Sequence, residues 1–161
     1  MIRTFAIIAI LAAALPAYAE DLPIVPDLTL TPGATNPAVT QDNIHQTICV
    51  SGWTKTIRPP VSYTNKLKAE QMVAYHYPPG TPPSSVEEDH LISLEIGGDP
   101  RSPLNLWPEP WLGEWGAHRK DVVETKLKRL VCSGALSLET AQTAIRTDWI
   151  GAYHQYVEAK P

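Results

Sequence analysis

Three residues in the second half of the chain carry side chains suited to acid–base and metal chemistry. Asp89 and His90 are adjacent and precede an apolar run at 91–96, and His118 begins a segment with helical periodicity. Imidazole is the natural general base near neutral pH, and a carboxylate and a second imidazole can hold a divalent metal ion. Phosphodiester hydrolysis requires both a base for the attacking water and a cation for the phosphoryl oxygens.

The elements around Asp89 and His90 are predicted to form a hairpin. The apolar residues of 91–96 indicate a first core strand, and 97–100, Gly-Gly-Asp-Pro, is typical of a turn. Residues 104–107 would pair back as a second strand, ended by two prolines. Because neighbouring residues on a strand point to opposite sides, Asp89 can face a metal while His90 faces the water.

Two helices are predicted after the hairpin. The first covers 117–131, with an apolar pattern of Val122, Val123, Leu127, Leu130 and Val131, and Gly134 suits its C-terminal cap. The second begins at Ser137 and runs to about residue 157. The N-terminal half is predicted to contain a strand within 44–53 and a helix over 65–75. In that helix Thr64 is the cap, and the buried residues are Leu67, Met72 and Val73. The order of elements indicates an α+β fold.

The order Asp89-His90, Asn105 and His118 resembles the HNH nucleases, also called His-Me finger or ββα-metal nucleases. The resemblance covers about residues 87–131 and implies a ββα-metal finger with additional helices. It implies that Asp89 and His118 bind one divalent ion (Mg²⁺, Mn²⁺ or Zn²⁺). His90 would be the general base, and Asn105 would fix the loop or orient the His90 ring. The zinc-knuckle cysteines of many relatives are absent.

Two further acidic residues are open to more than one interpretation. Asp121, three residues after His118, could reach the same face of the helix and add a ligand. Glu88 is either an extra carboxylate near the metal or a solvated charge.

The resemblance to HNH nucleases implies a metal-dependent endonuclease acting on DNA or RNA. The alternative is a secreted, non-catalytic binding module that keeps the ββα frame.

The chain is predicted to be exported. Residues 1–19 combine a basic start, a short apolar run and an Ala-Tyr-Ala cleavage site, as in a secretory signal peptide. Residues 20–42 are an extended lead-in, and 43–161 form a single domain. We expect a periplasmic or secreted monomer that is not membrane-bound, with any inhibitor protein left open. The chain has two cysteines, Cys49 and Cys132. Their even number favours a disulfide between them over two free thiols, and this disulfide would tie the N-terminal segment to the domain.

The charge balance argues against a general affinity for nucleic acid. The net charge is −4, so that a nucleic-acid surface must be local. Lys120, Lys126, Lys128 and Arg129 cluster in one helical stretch and are candidates for it. Arg58 could contact phosphate or be structural. The three tryptophans at 107, 111 and 115 could stack on bases, although packing in the core or in a loop is favoured.

Overall fold

The computed structural model describes residues 22–159, and the predicted signal peptide lies outside this range. Two strands and four α-helices are found in these residues, which confirms the α+β class. The helices are α1 (Trp53–Ile57), α2 (Val61–Ala74), α3 (Ala117–Cys132) and α4 (Leu138–Tyr153). The strands are β1 (Val86–His90) and β2 (Leu106–Pro110). Short 3₁₀ turns cover Gln41–Gln46, Pro83–Ser85 and Leu94–Ile96, and a π-helical turn, His154–Glu158, extends α4.

The two strands form an antiparallel hairpin in which Glu87 pairs with Glu109 and Asp89 pairs with Trp107. Helix α2 packs against both strands, while α3 packs against α4 and the turn Leu94–Ile96. Two apolar cores result. A smaller core joins α2 to the hairpin, and a larger core lies between α3, α4 and the N-terminal segment. The hairpin, followed by α3, is the frame that positions the candidate site.

The first strand of the hairpin lies earlier in the chain than the sequence predicts. The apolar run at 91–96 was expected to be the first strand, but the strand is the charged segment Val86–His90. Leu91, Ile92, Leu94 and Ile96 are buried, yet their backbone follows a loop in which Gly98 N–H donates to Ser93 O. Burial between two cores therefore accounts for the apolar run without a strand. The second strand extends through Pro108 and Pro110, which a two-stranded sheet tolerates because both strands are edges.

The two long helices are confirmed, and both start where predicted. The second is kinked at Asp148, whose backbone is not helical, and it continues beyond Tyr153 only as the π-helical turn. Ser137 caps α4, because its hydroxyl accepts a hydrogen bond from Thr140 N–H. Gly134 follows α3 with a φ of +77°, the left-handed conformation that ends many helices. Two details of the apolar pattern are wrong. Val122 is 46% exposed and Leu130 is only half-buried, because both lie away from the face that packs on α4.

The N-terminal half differs more from expectation. Instead of a strand within 44–53, there is a 3₁₀ turn, Gln41–Gln46, where Asn43 Oδ1 accepts a hydrogen bond from Thr40 N–H. Such local side-chain bonds compete with strand pairing. Helix α2 begins at Val61 after Pro60, four residues before the predicted start. Met72 is buried as predicted, but Val73 is exposed because it lies on the opposite side of the helix from the hairpin.

The predicted disulfide between Cys49 and Cys132 is present, with 5.7 Å between the Cα atoms. It joins the last residue of α3 to the segment before α1, across a sequence separation of 83 residues. A disulfide indicates an oxidising environment, such as the exterior of the cell. Within residues 22–159, no helix has the length and the hydropathy needed to cross a membrane.

Candidate functional site

A buried lysine lies at the centre of the candidate site. Lys120 comes from the first turns of α3 and is 0% exposed. Its ammonium group donates hydrogen bonds to Asp89 Oδ2 at 2.5 Å, to the His90 carbonyl oxygen at 2.7 Å and to the Glu124 carboxylate. An ammonium has three N–H donors, and all three therefore have acceptors. Lys120 thus connects α3 to the end of β1.

Three carboxylates gather beside this lysine. Glu87 and Asp89 are two residues apart on β1 and share a face of the strand, and Glu109 lies directly across the hairpin from Glu87. Each offers an oxygen, and these oxygens all lie within 4.8 Å of one another. Glu109 is fully buried, 3.8 Å from the Lys120 ammonium. As a carboxylate it has no hydrogen-bond donor in the described residues, whereas in its protonated form it hydrogen-bonds to Asp89. This acidic cluster (Glu87, Asp89 and Glu109) could hold a metal ion.

The three carboxyl groups of the cluster differ in their pKa values. Burial is the largest single influence on the pKa of Asp89 and would raise it, but attraction to Lys120 and His90, together with hydrogen bonds to Lys120 and Glu109, lowers the pKa to about 2. Burial and then repulsion from Asp89 raise the pKa of Glu87 to about 8. Burial also raises the pKa of Glu109 well above its ordinary value, even though Lys120 opposes the shift. Without a further cation, only Asp89 is fully ionised at neutral pH, because one lysine cannot neutralise three carboxylates.

His90 lies at the end of β1, next to the acidic cluster. Its ring is 3% exposed, and Nε2 lies 3.1 Å from the carbonyl oxygen of Pro100. Because a carbonyl can only accept, Nε2 must carry the proton, which leaves the lone pair on Nδ1. Burial lowers the pKa of His90, against the attraction of Asp89, and repulsion from Arg58 lowers it further. His90 is therefore held in one tautomer, as a neutral imidazole with a basic nitrogen.

Asn105 organises the loop that faces His90. Its side-chain oxygen accepts from Ile92 N–H at 2.9 Å and from Ala34 N–H at 3.3 Å, and its amide nitrogen donates to the carbonyl oxygens of Ile92 and Asp99, each at 3.0 Å. Asp99 immediately precedes Pro100, whose carbonyl contacts the His90 ring. Asn105 therefore positions the segment that orients His90, and it does not contact the ring through its side chain.

The structure does not bring His118 to Asp89. The His118 side chain is 76% exposed, lies 3.8 Å from Asp121 Oδ2 and packs against the Trp111 ring, with 5.4 Å between ring centroids. Residues two apart on a helix do not share a face, so that when Lys120 points at the hairpin, His118 points away. Asp121 is exposed as well. The helix contributes Lys120 and Glu124 to the site instead.

Glu88 lies on the opposite side of β1 from the acidic cluster. Both of its carboxylate oxygens are buried without a hydrogen-bond partner in the described residues. Burial raises its pKa to about 8, although attraction to Lys68 on α2 opposes the shift. Glu88 is therefore neither a solvated charge nor a member of the acidic cluster.

Four residues of the site were not identified from the sequence: Glu87, Glu109, Lys120 and Glu124. The sequence holds signals for three of them and none for Glu109. The run Glu87-Glu88-Asp89 on a strand with a buried face requires a counter-ion, and Lys120 and Glu124 have the i, i+4 spacing of a helical ion pair. Lysine is almost never fully buried unless it is paired, which is why Lys120 was assigned to the surface.

Comparison of the chain with protein-family models, with curated proteins and with solved structures finds no match.

Proposed function

We propose that the protein is an exported, metal-dependent phosphodiesterase that cleaves DNA or RNA, as its resemblance to HNH nucleases implies. The observation that carries the proposal is Glu109. Its carboxylate is fully buried, has no hydrogen-bond donor in the described residues, and lies within 4.8 Å of oxygens from Glu87 and Asp89. Ionised Glu109 is costly to bury, because the Lys120 ammonium 3.8 Å away already donates to Asp89 and Glu124, and a bound cation would remove that cost.

The proposed metal site differs from the one that the resemblance implies. Glu87, Asp89 and Glu109 would hold the ion, and His118 would not take part. An all-oxygen set favours a hard cation, which makes Mg²⁺ or Mn²⁺ a better fit than Zn²⁺. Such an ion would stabilise negative charge on the phosphoryl oxygens.

His90 is the proposed general base. Its Nε2–H donates to the Pro100 carbonyl, so that Nδ1 is available to accept a proton from water. Its lowered pKa keeps the imidazole neutral at physiological pH, which a base requires. Arg58 is exposed and close enough to His90 to repel a proton from it, so that its guanidinium is suited to bind a substrate phosphate.

A second candidate function is a non-catalytic binding module. It is favoured by Lys120, whose three N–H groups are all satisfied by the site itself. In that function Lys120 is the only cation that the carboxylates need, and Glu87 and Glu109 stay protonated.

Digestion of plasmid DNA and of RNA by the purified mature protein distinguishes the two functions. Cleavage should occur with Mg²⁺ or Mn²⁺, stop with a chelator, and be lost in Glu109→Gln. Glu114→Gln is the matched control, because Glu114 is exposed in the loop before α3. Absence of cleavage with every divalent metal would support the binding module, and cleavage that persists in chelator would reject the metal dependence.

A further inference from the structure

The exposed side of α3 borders a trough made of two adjoining clefts. The first, of about 500 Å³, lies at the start of the helix, and its lining includes Trp111, Leu112, His118, Arg119 and Tyr153. The second, of about 460 Å³, lies further along the helix and is lined by Asp121, Thr125, Lys126, Arg129 and Val157. Val122 lines both clefts, so that they adjoin along the helix, and together they are here called the α3 trough.

The trough follows directly from the two faces of α3. His118, Val122, Thr125 and Arg129 recur at spacings of four, three and four residues, and therefore form one stripe along the helix. The buried residues of α3 lie on the other face and hold the hairpin and α4. The stripe is open to solvent: Val122 is 46% exposed, and Leu112 beside it is 71% exposed.

The trough is basic although the chain as a whole is acidic. Arg119, Lys126 and Arg129 line it, and among the described residues none of the three forms an ion pair with a carboxylate. Arg119 is held in place by a 2.6 Å hydrogen bond to the Tyr153 hydroxyl. Asp121 is the one acidic side chain in the lining of the two clefts. The local charge is therefore positive in a protein whose net charge is −4.

Aromatic rings close one end of the trough. Trp111 is half-buried and packs against the exposed ring of His118, while Tyr153 forms part of the wall beside Arg119. A cationic groove combined with accessible aromatic faces is the arrangement by which proteins bind single strands, since unstacked bases can lie on the rings while the cations contact phosphates. Bases in a duplex are already stacked and cannot reach such rings.

We propose that the α3 trough binds single-stranded nucleic acid, with Arg119, Lys126 and Arg129 on the phosphates and with a base against Trp111 and His118. This inference rests on the proposed function, since it names the substrate form and the path that the substrate takes. The trough also lies beside the acidic cluster along α3, because Asp121 in its lining directly follows Lys120, whose ammonium donates to Asp89.

The test is fluorescence anisotropy of a short labelled oligothymidine with the mature protein in chelator, so that binding is measured without cleavage. Affinity should fall with salt, with a log–log slope near −2 for three phosphate contacts at about 0.7 each. Lys126→Ala/Arg129→Ala should weaken binding and reduce that slope by about 1.4. Trp111→Ala should weaken binding by roughly tenfold through loss of stacking.

The matched control is Lys55→Ala/Lys66→Ala, which removes the same charge from exposed positions on α1 and α2 and should leave the slope unchanged. An unchanged affinity and slope in Lys126→Ala/Arg129→Ala would overturn the proposal. So would tighter binding of the matching duplex, or equal binding of polyglutamate, which would indicate an acidic-protein partner. Binding without any cleavage in metal would retain the trough and reject the nuclease function. Cleavage in metal without oligothymidine binding would retain the nuclease function and reject the trough as the binding site.

Discussion

The ammonium of Lys120 lies 2.5 Å from Asp89 Oδ2, although the Lys120 side chain has no contact with solvent. This ion pair connects the start of α3 to the end of β1, and so fixes the distance between the helix and the hairpin. Taking both charges out of water is costly, and the cost is recovered only because Glu124 and the His90 carbonyl also accept from the ammonium. Removal of either partner leaves a buried charge uncompensated.

Lys120→Met should therefore destabilise the protein strongly. Loss of one partner from a buried ion pair costs about 3 to 5 kcal/mol in the free energy of unfolding. Chemical denaturation followed by circular dichroism measures this change. Lys128→Met is the matched control on the same helix: its ion pair with Glu95 is partly exposed, so that its loss should cost at most about 1 kcal/mol. Equal effects of the two substitutions would contradict a central role for Lys120.

Metal binding should depend on Glu109 and Asp89, and should not depend on His118. Isothermal titration calorimetry with Mg²⁺ and Mn²⁺ should show binding to the parent protein and to His118→Ala, and a loss in Glu109→Gln. The reason is that His118 is exposed and makes no ion pair with Asp89, whereas Glu109 is buried in the acidic cluster. Loss of binding in His118→Ala together with full binding in Glu109→Gln would instead favour the ligand set that the HNH resemblance implies.

His90→Ala should reduce the cleavage rate by about 10² to 10⁴ while the affinity for metal changes little. The side chain contacts the Pro100 carbonyl and is not a member of the acidic cluster. Its removal therefore takes away the proposed general base and leaves the proposed metal ligands in place. Single-turnover cleavage kinetics give the rate. His45→Ala, an exposed histidine outside the site, serves as the control. A wild-type rate in His90→Ala would exclude its role as base.

The metal-free protein should lose stability between about pH 4.5 and pH 8. Burial raises the pKa values of Glu87 and Glu88 from 4.5 to about 8, so that the folded state retains protons that the unfolded chain releases in this range. Stability then falls as pH rises. Asp89 has the opposite sign: its pKa is lowered from 3.8 to about 2, and its contribution is lost as pH falls through that range.

Thermal unfolding in chelator, measured across this pH range, checks the prediction. Glu88→Gln should flatten the decline, because an amide at this position has no proton to release. Added Mg²⁺ should raise the midpoint at pH 8 more than at pH 5, since ligation requires ionised carboxylates. A midpoint that rises steadily from pH 5 to pH 8 in chelator would contradict the buried positions of Glu87 and Glu88.

Reduction of the Cys49–Cys132 disulfide should lower the free energy of unfolding by up to about 4 to 5 kcal/mol, the loop-closure entropy for a loop of this length. It should also weaken metal binding, because α3 would lose its attachment to the N-terminal segment. Denaturant titration with and without reductant measures the first effect and calorimetry the second. Mass spectrometry of alkylated, non-reduced protein is the check on the bond itself, and two alkylated cysteines would contradict it.

The parts of the fold that the sequence predicts well are those with strong local signals. Helix α3 and helix α4 have apolar periodicity and end residues, Gly134 and Ser137, whose chemistry is specific to helix ends. The disulfide follows from an even cysteine count. The hairpin was misplaced because burial is not evidence of a strand: the apolar residues of 91–96 are buried in a loop and a 3₁₀ turn, where Asn105 satisfies the backbone of Ile92.

The candidate site is less predictable, because its members are defined by each other. Glu109 has no local signal, and it becomes part of the site only when the hairpin register places it opposite Glu87. Lys120 is an ordinary helical lysine until that register supplies its acceptors. Asp89, His90 and Asn105 could be identified from their order along the chain, whereas the tertiary environment determines which helix side chain meets them.

The hydrogen bonds of Asn105 limit how far the hairpin and α3 can be separated from the rest of the chain. Through Ala34 they extend to the N-terminal segment, where Gly33 N–H donates to Leu104 O and Asn36 N–H donates to Gly97 O. The loop opposite His90 is thus built jointly by residues some seventy positions apart. The hairpin and α3 of this protein are consequently not a portable module: an excised peptide, or a graft onto another scaffold, would lack the N-terminal segment that completes the loop opposite His90.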